Sequence, residues 1–213
     1  MRIALFGASG KVGAVLARRL RDAGHDVTPV ERGDEPALAG HVAASDFTRP
    51  DAVRATAERA RGAGLPPIVG TTGLGESDLA ALDALARERC VPCFVVPNFA
   101  LGAVLMMRFA AEAARALPRA EIVELHNERK VDAPSGTAKA TAAAMGGDVA
   151  IHSVRLPGLV AHQEVLLAGD GELLTIRHDT LSREAFVPGV LHALDRLGDL
   201  PPGVTVGLDA VLD

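Results

Sequence analysis

The residues that most constrain this chain lie between Arg2 and Gly24. Arg2–Phe6 is an unbroken apolar run, and strands of that kind need cover on both faces, as in parallel sheets. It leads into Gly7-Ala8-Ser9-Gly10-Lys11-Val12-Gly13, a G-x-x-G-x-x-G turn. The following stretch, Lys11–Ala23, has apolar residues at Val12, Val15, Leu16 and Leu20, a helical spacing that Gly24 ends. Glycines in such a turn let backbone N–H groups approach an anion at the positive end of the helix. An ordinary glycine turn has the same letters. The position between a buried strand and a helix is what points to a dinucleotide. Gly7, Ala8, Ser9, Gly10, Lys11 and Val12 are therefore candidate cofactor-binding residues.

The strand–helix rhythm continues. Asp26–Val30, Val42–Phe47, Pro67–Gly70 and Cys93–Val96 read as strands, and Pro50–Ala63 and Glu76–Arg89 as helices. Alternation of this kind predicts a Rossmann-like, doubly wound parallel sheet, α/β in class. After Asn98 the pattern changes. A long apolar helix, Leu101–Leu117, precedes a strand at Ala120–His126, a helix at Gly136–Met145 and three strand-like runs from Val149 to His178, with Glu184–Leu197 as a final helix. Consecutive strands without helices between them predict a smaller α+β domain with a mainly antiparallel sheet. We expect a discontinuous dinucleotide domain, 1–98 with 184–213, and a substrate and assembly domain, 99–183.

Composition narrows the function. Net charge is −5 and aromatics are 3%, with no Trp or Tyr, so neither a basic footprint nor stacking residues for nucleic acid are present. No apolar run reaches the ~18 residues of a membrane span, and no signal-peptide h-region precedes the glycine turn, so a cytoplasmic protein is expected. Cys90 and Cys93 form a C-x-x-C pair, but Cys90 closes a helix, whereas a redox cysteine belongs at a helix start. Two cysteines without nearby histidines are too few for zinc, and no metal is expected.

Glu31-Arg32 follows the second strand, about 20 residues beyond the glycines, where a ribose-reading acid belongs. Glu31 can accept from the ribose hydroxyls of NAD, and Arg32 can pair with the 2′-phosphate of NADP. A solvated surface pair is the plainer alternative. Gly70-Thr71-Thr72 and Val96-Pro97-Asn98-Phe99 follow the fourth and fifth strands, at the ends where parallel sheets bind ligands.

The second constellation is His126-Asn127-Glu128-Arg129-Lys130-Val131-Asp132-Ala133-Pro134-Ser135-Gly136-Thr137-Ala138. Its plain reading is a charged loop and a helix capped by Ser135 or Thr137. The N–H groups of Ser135, Gly136 and Thr137 at a helix start also make an anion site, flanked here by His126 and Lys130.

Lys130–Ala138, K-V-D-A-P-S-G-T-A, resembles the signature of the dihydrodipicolinate reductases. Asp46–Pro50, Val69–Gly73, Pro97–Ala100 with Gly102, Ser153–His162, Thr175–Asp179 and Arg183–Phe186 resemble that family in the same order. The resemblance runs essentially end to end. It implies a reductase using NADH or NADPH on a small cyclic imine dicarboxylate, and a homotetramer built through the sheet of the substrate domain. It further implies that His126 and Lys130 are proton donors, that Gly136 and Thr137, with Ser135, hold a substrate carboxylate, and that Gly7–Val12, Glu31, Arg32, Gly70–Thr72 and Val96–Phe99 line the cofactor. Asn127 stands where many members have a second substrate-contacting His. The chain is also short for the family, which implies a trimmed dinucleotide domain, and hinge closure of the two domains is expected.

Two rivals belong to other classes. A dinucleotide-binding sensor explains the first hundred residues but not a His126–Lys130 pair beside an anion site. A semialdehyde-type reductase needs a nucleophilic cysteine, for which Cys90 and Cys93 are poorly placed.

Overall fold

A computed structural model describes residues 1–212. In chain order the elements are β1 (Arg2–Phe6), α1 (Gly13–Asp22), β2 (Asp26–Val30), β3 (Ala43–Asp46), α2 (Pro50–Gly62), β4 (Pro67–Val69), α3 (Glu76–Glu88) and β5 (Pro92–Val95). Then come α4 (Leu101–Ala113), β6 (Arg119–Asn127), α5 (Gly136–Ala144), β7 (Ala150–Leu156), β8 (Ala161–Gly169), β9 (Glu172–Thr180), α6 (Val187–Arg196) and β10 (Gly203–Val206). The chain divides into two compact units, Met1–Phe99 with Phe186–Asp213, and Ala100–Ala185.

The first unit is built on a six-stranded parallel sheet in the order β10-β5-β4-β3-β1-β2. Successive residues of a strand point to opposite faces. Ile3, Ala4 and Leu5 are all fully buried, so both faces at β1 are covered. Helix α1 packs with α6, and α2 with α3. Chain order reverses at β1, which lies between β2 and β3, and ligands bind at the carboxyl ends of strands at such a switch.

Glycine is required where α1 leaves the turn. A Cβ on Gly13 would lie 2.0 Å from the Gly7 carbonyl oxygen, and one on Gly7, whose φ is +76°, would lie 2.8 Å from that of Phe47. The loops after β1 and β3 thus meet backbone to backbone.

The second unit is a four-stranded sheet in the order β7-β6-β8-β9. β6 pairs parallel with β7, across the α5 crossover, and antiparallel with β8, which pairs antiparallel with β9. One face is covered: Ile122, Val165 and Leu167 pack with Met106 and Ala110 of α4 and Ala138 and Ala142 of α5. Alternation along β6 places Ile122, Glu124 and His126 on this covered face, and Glu121, Val123 and Leu125 on the other.

The C-terminal part is more elaborate than the sequence pattern suggests. The helix expected from Glu184 begins as a 3-10 turn, Arg183–Phe186, before α6. β10, only four residues long and preceded by Pro201-Pro202, adds an edge strand beside β5 that local pattern does not mark. Of the two cysteines, which are not bonded, Cys90 is exposed with φ +53° and Cys93 is buried. Burial, with a smaller effect from Asp83, pushes the Cys93 thiol up to about 12, so it carries no thiolate at neutral pH.

The same substitution should act oppositely at two glycines. Gly13→Ala forces a methyl against a backbone carbonyl and should destabilise by roughly 1–3 kcal/mol. Gly62→Ala, at the end of α2 with nothing within 4 Å, should be neutral or gain up to about 1 kcal/mol. Urea unfolding of the two variants checks this; equal effects would show that the turn is not close-packed.

Candidate active site

In the first unit a cleft of about 640 Å³ lies at the carboxyl ends of β1, β2 and β3. Gly7, Ser9, Gly10, Glu31 and Arg32 line it, together with Phe47, Thr48 and Arg49 after β3 and residues of α2. The turn is closed by Gly10 N–H donating to the Gly7 carbonyl at 3.0 Å. Glu31 is tied to it: its two carboxylate oxygens accept from Ser9 N–H at 2.7 Å and Ser9 Oγ at 2.8 Å. The acid at the end of β2 is thereby held against the glycine turn. Close backbone approach and a tethered acid fit an adenosine dinucleotide. Ala8 is buried beneath the turn, and Lys11 and Val12 are outside the lining of this cleft.

Gly70–Thr72 and Val96–Phe99 lie after β4 and β5, and no residue of either segment lines that cleft. The first of them is joined to it through Asp46. This buried carboxylate accepts through Oδ1 from Thr48 N–H and Oγ1, at 2.8 and 2.7 Å, and from Thr71 Oγ1 at 2.9 Å. The loops after β3 and β4 share one acceptor. Gly70 lies against the Phe47 ring, where a Cβ would be 2.3 Å away, and Phe47 stacks with buried Phe99 at 5.4 Å between centroids. Asp46 and Phe47 were visible in the sequence only as part of the family resemblance. Their organising role depends on contacts across strands.

In the second unit, His126 ends the covered face of β6, its side chain 15% exposed. His126 Nδ1 faces Glu124 Oε2 at 2.5 Å. Glu124 itself is fully buried and also accepts from Arg155 at 2.9 and 2.7 Å, Ser153 Oγ at 2.6 Å and Ser135 N–H at 3.2 Å. Burial alone would raise this carboxyl, but the bonds from Arg155, Ser153 and His126 outweigh it and bring it down to about 2. Glu124 therefore stays ionised. For His126 the balance is reversed: burial lowers its pKa more than Glu124 raises it, and the charges of Lys130 and Arg155 lower it further.

Ser135 caps α5, its Oγ accepting from Ala138 N–H at 3.2 Å. The anion site expected from the N–H groups of Ser135, Gly136 and Thr137 needs one correction, because Ser135 N–H is already given to Glu124. Gly136 and Thr137 are the first two residues of α5. Lys130 donates to Asp132 Oδ1 at 2.7 Å, and the Asp132 carbonyl accepts from Arg155 at 2.8 Å. Asn127 Oδ1 accepts from Arg129 N–H at 3.1 Å, which holds the turn after β6. Glu124, Ser153 and Arg155 escaped sequence reasoning as site residues. The available signal was Glu124-x-His126, an acid and a histidine two apart on one strand and so on one face.

The chain matches the family model described as dihydrodipicolinate reductase, C-terminus, over residues 102–212, and that described as dihydrodipicolinate reductase, N-terminus, over residues 35–99. It is 41% identical over 264 residues to 4-hydroxy-tetrahydrodipicolinate reductase of Moorella thermoacetica, covering 100% of this chain and 98% of that one. With the Beutenbergia cavernae protein of the same name the identity is 44% over 245 residues, covering 100% and 99%. These aligned spans exceed the 213 residues here, so the relatives carry additional residues. Among solved structures, the dipicolinate-bound dihydrodipicolinate reductase from Paenisporosarcina sp. TG-14 superposes with a TM-score of 0.86 at 30% identity, covering 100% of this chain and 99% of that one. With its C-terminal model spanning more than half of the chain and relatives matched from end to end, the chain belongs to the dihydrodipicolinate reductase family.

Proposed function

We propose that residues 1–98 with 184–213 hold the dinucleotide, that residues 99–183 hold the substrate, and that His126 and Lys130 carry the proton chemistry. The reaction is that of the family: NAD(P)H-dependent reduction of 4-hydroxy-tetrahydrodipicolinate to tetrahydrodipicolinate, in diaminopimelate and lysine biosynthesis. The observation that carries the residue assignment is Glu124, which bonds both His126 and the N–H of Ser135. A proton donor and a helix start suited to a carboxylate converge on it.

Bound NADH or NADPH supplies the hydride. Gly136 and Thr137 at the start of α5 are assigned to one ring carboxylate; the Paenisporosarcina reductase binds dipicolinate, itself a ring dicarboxylate. The Asn127 amide is assigned to the substrate in place of the family's second His. It can donate and accept but carries no proton charge. As negative charge develops on the ring, His126 delivers a proton from Nε2 and the Lys130 ammonium stabilises or protonates. On the cofactor side, Gly7–Val12, Gly70–Thr72 and Val96–Phe99 are assigned to the dinucleotide, with Glu31 and Arg32 at the ribose.

Assembly as a homotetramer is part of this reading. The outer face of the second unit's sheet bears Val123, Leu125, Val154 and Leu166, and a sheet face of that kind needs cover. Arg177 there is already paired with Glu164 and Asp179, and Asp179 with His162. Light scattering should give a mass near four times 22.0 kDa; a monomer would remove the proposal. Among the described residues no helix is long and apolar enough to cross a membrane. We place the enzyme in the cytoplasm.

His126→Gln and Lys130→Met should each lower kcat about 100-fold or more while leaving NADH binding intact. Thr137→Val should raise KM by about 10-fold or more, since a hydrogen bond to a charged group is worth roughly 1.5–3 kcal/mol. Dipicolinate should compete with substrate, and its neutral diamide should not. Coupling the enzyme to a synthase that makes the substrate and following 340 nm absorbance measures all of these. Near-wild-type turnover in both proton-donor variants would leave the chemistry without an owner.

Both cofactors should support turnover, with a preference under about 100-fold, because Glu31 and Arg32 favour opposite ribose chemistries. Arg32→Ala should weaken NADPH by roughly 1.5–3 kcal/mol and spare NADH, and Glu31→Ala should weaken NADH. Calorimetric titration showing parallel losses for both cofactors would move ribose recognition elsewhere.

A further inference from the structure

Glu124 and His126 are two apart on β6 and share its covered face. A buried carboxylate is expensive, and a buried ion pair seldom stabilises more than apolar residues of the same volume would. This chain nevertheless spends four neighbours on one. Arg155, Ser153, Ser135 N–H and His126 Nδ1 all converge on Glu124, on a sheet face otherwise packed with Ile122, Val165 and Leu167. Arg155 extends the arrangement to the Asp132 carbonyl, and the Asp132 carboxylate holds Lys130. From one carboxylate, hydrogen-bonded paths reach both proton donors and the helix start assigned to the substrate.

We propose that Glu124 is a positioning residue for the reduction: it engages His126 through Nδ1, so that Nε2 is the nitrogen offered to substrate, and it holds Lys130 and the start of α5 in fixed relation to that nitrogen. The inference rests on the assignment of His126 as proton donor. In each turnover the Nε2–H bond breaks as the proton passes to the ring atom bearing the π electron pair that hydride addition displaces. His126 is left neutral with its proton on Nδ1, hydrogen-bonded to Glu124, which remains ionised and only accepts.

The charged groups around His126 make a second demand. Burial, Lys130 and Arg155 all favour the neutral ring, and Glu124 is the group that opposes them. A proton donor must be charged before it acts. Activity that needs the imidazolium is present below the His126 pKa and lost as pH rises through it. Removing Glu124 moves that loss to lower pH.

Nitrogen NMR of the intact enzyme should find neutral His126 as the Nδ1–H tautomer, with Nε2 unprotonated. Glu124→Gln should lower kcat by about 10- to 100-fold, the scale that loss of the orienting partner has for metal-ligating histidines. The alkaline limb of its pH profile should shift to lower pH, with NADH affinity unchanged. A wild-type kcat and pH profile in Glu124→Gln would overturn the proposal, whatever happens to its melting temperature. So would an Nε2–H tautomer in the unmodified enzyme, which decides the matter even if the variant does not fold. Wild-type turnover in His126→Gln with the Nδ1–H tautomer intact would instead overturn the assignment of His126 as donor.

Discussion

Around the first unit's sheet, backbone or ring comes so close to several glycines that no side chain could intervene. Gly13 lies against the Gly7 carbonyl, Gly189 against the Phe99 carbonyl and Gly70 against the Phe47 ring, each with room for hydrogen but not for Cβ. The contacts set where α1 and α6 begin and how the loops after β3 and β4 meet. With few aromatic side chains, this unit draws its definition from small residues and close approach rather than from large interlocking ones. The turn's own N–H groups are partly committed, Gly10 to the Gly7 carbonyl and Ser9 to Glu31, and the cleft opens beside it.

The second unit solves a different problem. Its sheet is covered on one side only, and on that side the apolar layer is interrupted by Glu124, Gln163 and Thr141. Such groups are tolerated only when bonded. Glu124 is bonded on every side, and Gln163 donates to Thr141 Oγ1 at 2.8 Å. The polar seam runs between β6, β8 and α5, beside His126. Polar groups lie beside the His126 imidazole, and apolar ones take over toward Ile122 and Leu167.

Much of this was legible in the sequence. The parallel sheet could be read from β1 to β5 because each strand is a short apolar run closed by turn residues. The glycine turn, Glu31 and the Lys130–Thr137 segment are contiguous, so their spacing carries their meaning. β10 was not legible, because Gly203–Val206 is too short to show a period and becomes a strand only by pairing with β5. Asp46 was legible only as a motif letter, since its partner Thr71 is 25 residues away. Arg155 lies 31 residues from Glu124 and meets it because β7 pairs with β6 in one particular register.

Local order along the chain therefore determined the class of fold, the glycine turn before α1 and the capped start of α5. Each depends on backbone conformations and periodicities that neighbouring residues impose. Only the tertiary structure decided which nitrogen of His126 is held, that Ser135 N–H is occupied, and that Lys130 is tied through Asp132 and Arg155 to the same carboxylate. Those outcomes turn on strand register, which brings His126 beside Arg155 and Glu124 beside Ser153. A shift of one residue would turn Glu124 to the opposite face and leave the histidine without its partner.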